Sequence, residues 1–321
     1  MQARRKKMKK RVCFMGTPQF AVTILDTLVQ SDVEVVCVIS QPDKKVGRKQ
    51  IIQATPVKEK ALTYHIPVLQ PDKIKDIMEE LESLNLDLIV TCAYGQFIPE
   101  KILNLPKYGS VNIHASLLPK YRGGAPIHKA IIQGETESGI TLMRMVKKMD
   151  AGDILFQRAC PIFESDDFGS LHDRLQILGS EMIQEHLKDL FNPDLGSIAQ
   201  DESLVSFAYN ITSDEEFVNF NDTMTHVVNK VRGLNPWPVA HSVIDSKKVK
   251  LFKVIKSELV SKKEVGTVLG LFDEGIAVQV KDGVVLVKEL QVEGKNRMTA
   301  QAFYQGMGKQ WVNLKFDTHE S

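Results

Sequence analysis

The stretch Val111-Asn112-Ile113-His114-Ala115-Ser116-Leu117-Leu118-Pro119-Lys120-Tyr121-Arg122-Gly123-Gly124-Ala125-Pro126 decides how the rest of the chain is read. Its first residues alternate apolar, mostly β-branched positions with Asn112 and His114, which is the pattern of a strand. Side chains two apart on a strand share a face, so the amide and the imidazole project together. An open α/β sheet gathers its chemistry outside the carboxyl ends of its strands. The continuation reads as a rigid loop. Pro119 and Pro126 fix φ, and Gly123-Gly124 lets backbone approach a bound molecule closely.

Outward from this stretch, strands are predicted at 11–15, 34–40, 86–93, 110–115 and 139–146. Helices are predicted at 18–30, 56–64, 72–84, from about 124, and at 167–190. Thr17 is expected to cap the first helix, with Pro18 at its first position. The alternation implies an α/β fold with a doubly wound, mostly parallel, Rossmann-like sheet. One glycine after the first strand, Gly16, is not a G-x-G-x-x-G fingerprint, which argues against a dinucleotide.

The pattern breaks near Asn192-Pro193-Asp194-Leu195-Gly196. Four segments follow: a basic tail at 1–10, a catalytic domain at 11–190, a linker at 191–213 and a C-terminal domain at 214–321. The last holds a short helix at 223–233. Five short strands follow, at 241–244, 249–255, 266–271, 276–280 and 284–290, with a hairpin turn at Asp282-Gly283. Such a set fits a smaller, OB-like β-barrel. Seven lysines fall between positions 247 and 263, Lys248 and Lys250 among them, against the single acid Glu258. Such a strand guards a sheet edge or follows a nucleic-acid backbone.

At 321 residues with 43% hydrophobic and 25% charged residues, the chain has the composition of a soluble globular protein of two domains. Its net charge of +1 points to no anionic partner in bulk. Arg4, Arg5, Lys6, Lys7, Lys9 and Lys10 crowd the first ten residues, which read as a disordered tail. A second basic cluster, Lys44, Lys45, Arg48 and Lys49, lies in a loop at 41–55 with Gly47 as a hinge. It is either a solvated loop or a contact to phosphate or a charged cofactor tail. Cys13, Cys37, Cys92 and Cys160 have no metal-ligand spacing, so a reducing, cytoplasmic setting and no metal are expected. No apolar run reaches transmembrane length.

Asn112, His114 and Asp150 each fall at the predicted carboxyl end of a strand. An amide, an imidazole and a carboxylate suit acyl transfer to an amine. The carbonyl oxygen gains charge and needs donors already aimed at it, which Asn112 and His114 can supply. Asp150 can hold the imidazole in one tautomer or relay protons. The bland alternatives are a satisfied core histidine and a simple turn at Asp150-Ala151-Gly152. Ser116 lacks a G-x-S-x-G elbow.

At these residues the chain resembles the 10-formyltetrahydrofolate-dependent formyltransferases. The shared elements are Asn112-x-His114, Ser116-Leu117-Leu118-Pro119, Tyr121-Arg122-Gly123-Gly124-Ala125-Pro126 and Asp150-Ala151-Gly152-Asp153. Phe14-Met15-Gly16-Thr17-Pro18, Gln41-Pro42-Asp43, Ala93-Tyr94-Gly95 and Asn235-Pro236-Trp237-Pro238 extend the likeness over nearly the whole chain. The resemblance implies formyl transfer from 10-formyltetrahydrofolate to the α-amine of methionine esterified to initiator tRNA, for translation initiation, by a monomer. It implies that Asn112, His114 and Asp150 are catalytic. Ser116, Leu117, Leu118 and Pro119 would line the folate site, with backbone at Tyr94, Gly95, Phe97 and Ile98 near the pterin. The loop with Lys44, Lys45, Arg48 and Lys49, and the C-terminal domain with Lys248 and Lys250, would meet the tRNA. Many family members continue the loop as Gly-Arg-Gly-Lys-Lys, where this chain has Gly47-Arg48-Lys49-Gln50. The rivals are a formyltransferase acting on glycinamide ribonucleotide or an amino sugar, a formyltetrahydrofolate hydrolase, and a non-catalytic RNA-binding protein.

Overall fold

The structure, a computed structural model, describes residues 8–46 and 50–318. It divides into two compact units. One comprises the residues up to Gly124 with Ser138–Cys160 and His172–Ala208; the other comprises Ala125–Glu137, Pro161–Leu171 and the residues from Tyr209. The helix expected near 124 and the start of the long helix thus belong to the second unit.

The chain opens with β1 (Lys10–Gly16), α1 (Gln19–Gln30), β2 (Val33–Ile39), β3 (Lys44–Val46), β4 (Ile51–Gln53), α2 (Pro56–Thr63), β5 (Val68–Leu69) and α3 (Met78–Ser83). It continues with β6 (Leu88–Cys92), α4 (Glu100–Leu103), β7 (Ser110–His114), α5 (Pro126–Ile132), β8 (Glu137–Arg144), β9 (Ile154–Pro161) and α6 (Phe168–His186). The first unit's main sheet runs β5-β2-β1-β6-β7-β8-β9. Pairing is parallel from β5 through β7, and β8 runs antiparallel to β7. All five residues of β6 are buried, as a parallel strand covered on both faces requires. The strand order reverses between β1 and β6, and the crevice beyond their carboxyl ends is where such sheets bind ligands.

Several expectations are corrected. Thr17 does not cap α1; Pro18 is the N-cap residue, with no side-chain cap bond. The Thr17 hydroxyl instead donates to the Tyr94 carbonyl at 2.9 Å, tying the end of β1 to the end of β6. The region 72–84 splits into a 3₁₀ turn, Ile74–Ile77, and α3. The loop at 41–55 carries a hairpin, β3 against β4. β9 was not anticipated: it ends the sheet and buries little beyond Leu155 and Cys160, so its alternation is faint.

The second unit adds α7 (Met224–Gly233), β10 (His241–Ile244), β11 (Lys247–Ser257), β12 (Val268–Phe272), β13 (Gly275–Val280), β14 (Gly283–Val292), β15 (Met298–Thr299) and α8 (Ala300–Gly306). The sheet order is β10-β11-β14-β13-β12, all antiparallel, with β15 on β14. Val280 pairs with Gly283, so Lys281-Asp282 forms the two-residue turn. Lys315 bridges to Thr267 and Phe316 to Ile244, which links the β12 side to the β10 side. Val227, Val231, Val249, Leu251, Val278, Val287, Phe303 and Trp311 fill the core. The edge-guard reading fails for Lys248 and Lys250, where β11 is paired with β10 and β14, but stands for Lys253 and Lys256, where only β14 is paired. Val249, Leu251 and Val254 face inward while Lys248, Lys250, Lys253 and Lys256 are exposed. Register shifts around Lys253 reset the alternation and keep that lysine outside.

Candidate active site

β7 presents Asn112 and His114 on one face, and β6 sets Thr91 directly beside Asn112 in register. The Thr91 hydroxyl donates to Asn112 Oδ1 at 2.8 Å. An ionised carboxylate only accepts, so Asp150 takes the Nδ2 end of the amide, and the Thr91 hydroxyl, donating to the oxygen, secures that orientation. Asn112 Nδ2 is thereby turned toward Asp150, 3.5 Å from Oδ1.

His114 Nε2 lies 2.9 Å from the Tyr121 carbonyl. A carbonyl only accepts, so Nε2 carries the proton and Nδ1 is the bare nitrogen of the neutral ring. Nδ1 sits 3.7 Å from Asp150 Oδ2, with the imidazole 6% and the carboxylate 16% exposed. The Asp150 carboxylate thus faces this nitrogen, and low exposure limits solvent screening between the two groups.

Asp150 follows β8 in a tight loop at φ +47°. Its Oδ2 accepts the Gly123 amide at 2.9 Å, so Gly123-Gly124 helps to hold the carboxylate. Two residues on, a Cβ at Gly152 would stand 1.9 Å from the Arg144 carbonyl, so only glycine lets the loop fold back over the end of β8.

The loop after β7 is braced. Ser116 Oγ donates to the Lys120 carbonyl at 2.7 Å, and Thr141 Oγ1 donates to the Ser116 carbonyl at 2.6 Å. The Leu118 carbonyl accepts Gln157 Nε2 at 3.0 Å. Leu117 packs over Gly139, and Leu118 is buried ahead of Pro119. At the switch point Ala93 and Gly95 have φ of +47° and +87°. The Tyr94 carbonyl there accepts Thr17 Oγ1 and, at 3.2 Å, Gln41 Nε2. The Tyr94 ring and Ile98 are buried, whereas Phe97 is exposed. Burial pushes the Tyr94 phenol up to about 12, and its oxygen has no partner among the described residues.

The structure thus brings Asn112, His114 and Asp150 together and sets residues 94–98 and 116–119 on the same unit. Lys44 and Lys45 are exposed on β3; Arg48 and Lys49 lie outside the described residues. Lys248 and Lys250 are exposed on the second unit. Sequence reasoning missed Thr91, although a lone hydroxyl near the end of an otherwise apolar strand was a usable signal. It also missed Gln200, whose amide reaches the Asp150 loop, and nothing local marks that residue. Among the described residues no group of three or more His, Cys, Asp or Glu could hold a metal ion, and no helix is long and apolar enough to cross a membrane.

Residues 9–187 match the formyl transferase family and residues 210–308 match the formyl transferase C-terminal domain. The chain belongs to the formyl transferase family. Within it, the methionyl-tRNA formyltransferase of Mesoplasma florum is 48% identical over 297 residues, covering 92% of this chain and 95% of that protein. The methionyl-tRNA formyltransferase of Malacoplasma penetrans is 46% identical over 297 residues, covering 92% and 93%. HypX from Aquifex aeolicus, solved in complex with tetrahydrofolic acid, shares the fold with a TM-score of 0.62 at 19% identity. That likeness covers 95% of this chain, which spans about half of HypX (48%).

Proposed function

We infer that this chain transfers a formyl group from 10-formyltetrahydrofolate to the α-amine of methionyl-initiator tRNA. One observation carries the reading: a chain similar along more than nine-tenths of its length to methionyl-tRNA formyltransferases also converges an amide, an imidazole and a carboxylate on one point of its sheet.

The amine nitrogen bonds to the formyl carbon as the carbonyl π pair moves onto oxygen. Asn112 Nδ2 keeps one hydrogen for that oxygen, with Asp150 and Thr91 together holding the amide in the donating orientation. A proton on His114 Nδ1, the ring nitrogen that faces Asp150, makes the imidazole the second donor. One such donor is worth about 10²–10³ in turnover. The Asp150 carboxylate takes the proton shed by the amine and passes it to N10, and as the oxyanion re-forms its carbonyl the C–N10 bond breaks and the folate leaves protonated at N10. The surroundings fit a folate. Leu118 and Ile98 are apolar and buried, while the turn at 93–95 offers main-chain polar groups to the edge of a flat pterin.

The second unit reads as an OB-like barrel, supported by the bridges from Lys315 and Phe316. Its outward lysines, Lys248 and Lys250, and Lys44, Lys45, Arg48 and Lys49 of the 41–55 stretch of sequence, contact the tRNA backbone. A small amine acceptor needs neither basic region. The domain boundaries read at 11–190, 191–213 and 214–321, and the cytoplasmic setting, belong to the same proposal.

The test is one assay of purified protein with 10-formyltetrahydrofolate and charged initiator or elongator methionyl-tRNA. The expected product is formylmethionyl-tRNA, from the initiator species. Formate release without acceptor, or transfer only to a small amine, would overturn the reading.

A further inference from the structure

Residues 191–213 read as a linker, yet their middle is bound to the catalytic loop at one residue after another. Ser197 Oγ donates to Asp153 Oδ2 at 2.7 Å. Ile198 and Ile154 exchange two main-chain bonds at 2.8 and 2.9 Å. Gln200 Nε2 donates to the Asp150 carbonyl at 2.8 Å and the Gly152 carbonyl at 2.7 Å. Glu202 accepts Lys148 Nζ at 2.6 Å through one oxygen and Arg122 Nη2 at 2.8 Å through the other.

The same segment grips the other side of the site. Gln200 Oε1 accepts Arg122 Nε at 3.0 Å and Nη2 at 2.8 Å, and the guanidinium is fully buried. The Arg122 amide donates to the Ser206 carbonyl at 2.9 Å, and the Arg122 carbonyl accepts the Ala208 amide at 2.7 Å. Ser206 Oγ accepts the Tyr121 amide at 2.9 Å, and the Tyr121 carbonyl holds His114. Arg122 and Lys148 together hold the Glu202 carboxyl down to about 2, so it stays ionised at any working pH.

We propose that Gln200 is a positioning residue, the clasp by which the connecting segment locks the Asp150 loop against the Tyr121-Arg122 loop. Its amide bonds both Arg122 and the main chain of Asp150. Two donated bonds fix the carbonyls on either side of Ala151. The Asp150 carboxylate then needs no substrate to find its place between Asn112 and His114. The segment completes the catalytic geometry without touching the reacting atoms. This proposal rests on the formyl-transfer reading above.

Gln200→Glu separates the two halves of the clasp. A carboxylate still accepts from Arg122 but cannot donate to Asp150 or Gly152, and it faces their carbonyls. Because a misplacement of about 1 Å at a reacting group costs up to about 10² in rate, kcat is expected to fall roughly 10- to 100-fold. KM for the folate and for methionyl-tRNA stays within about twofold, since neither is held by the clasp. Wild-type enzyme in the same assay separates the two claims: no formylation by wild type sinks the functional reading, not the clasp. With wild type active, an unchanged kcat in folded Gln200→Glu overturns the proposal. So does a loss spread equally over kcat and both KM values with a lowered melting temperature. If Gln200→Glu does not fold, Gln200→Met, which keeps the length and adds no charge, takes the same test.

Discussion

Replacing Thr91 with valine removes one hydroxyl and almost no volume. That hydroxyl makes its short bond, 2.8 Å, to Asn112 Oδ1; its other contacts are longer, to the Val111 carbonyl and Met145 Sδ. Without it the Asn112 oxygen faces a methyl group. A bond of this kind is worth about 0.5–1.5 kcal/mol, and a half-buried acceptor left unpaired costs about 1–3 kcal/mol. Both act on the orientation that points Nδ2 toward Asp150, because the amide swings out of its productive plane to find its oxygen another donor, a full flip being opposed by the Asp150 carboxylate. At about 1.4 kcal/mol per tenfold, a bias of 1–2 kcal/mol is about 5- to 30-fold in the productive population. Steady-state formylation should therefore show kcat reduced about 5- to 30-fold in Thr91→Val, short of the 10²–10³ expected for an oxyanion donor removed outright. In Asn112→Ala the valine should add nothing further, because the orienting bond has no partner left. Wild-type turnover in Thr91→Val, or a full additional loss in the double variant, would refute this account of the amide.

Three further outcomes follow from the same geometry. Asp150→Asn keeps an acceptor for the Gly123 amide but removes the charge beside His114 Nδ1, so kcat should drop by about 10² or more with the fold intact by circular dichroism. Tyr94→Phe removes a buried, unpartnered hydroxyl and should leave thermal stability equal or slightly raised. The Tyr94 phenol is raised to about 12 in the folded chain, so between about pH 10 and 12 the unfolded chain loses this proton first. The native state then binds more protons, and stability falls as pH rises through that window; Tyr94→Phe should flatten the slope seen in denaturant titrations. Lys248→Ala with Lys250→Ala should make tRNA binding less sensitive to salt, the log–log slope easing by about one for each phosphate no longer neutralised, and leave the folate KM unchanged.

What could be read beforehand follows from where the information lies. β7 was legible because its period of two is contiguous and brings Asn112 and His114 to one face without any other strand. The antiparallel β11 alternates as plainly, but which part of it β10 covers is non-local: its first half is paired on both sides and the half with Lys253 and Lys256 only on β14. Thr17 carries every local mark of a helix cap. Its hydroxyl goes instead to a carbonyl more than seventy residues away, and no cap rule contains that competitor. Thr91 was hidden for a similar reason: register between β6 and β7 makes it Asn112's partner. Asp150 was visible only as an acid after a strand, and its approach to His114 depends on Gly123, Gly152 and Gln200. The 191–213 region lacks periodicity because its bonds run to loop carbonyls and side chains, which impose no repeat on sequence.

The central claim is that Asn112 and His114 stabilise charge on one carbonyl oxygen. Single-turnover formylation of methionyl-initiator tRNA, under saturating 10-formyltetrahydrofolate, tests it in Asn112→Ala, His114→Ala and the double variant. The account predicts a loss of about 10²–10³ in each single variant, with folate binding retained and a double loss smaller than the product of the two. Near-normal turnover in either single variant, with folded protein, would contradict it.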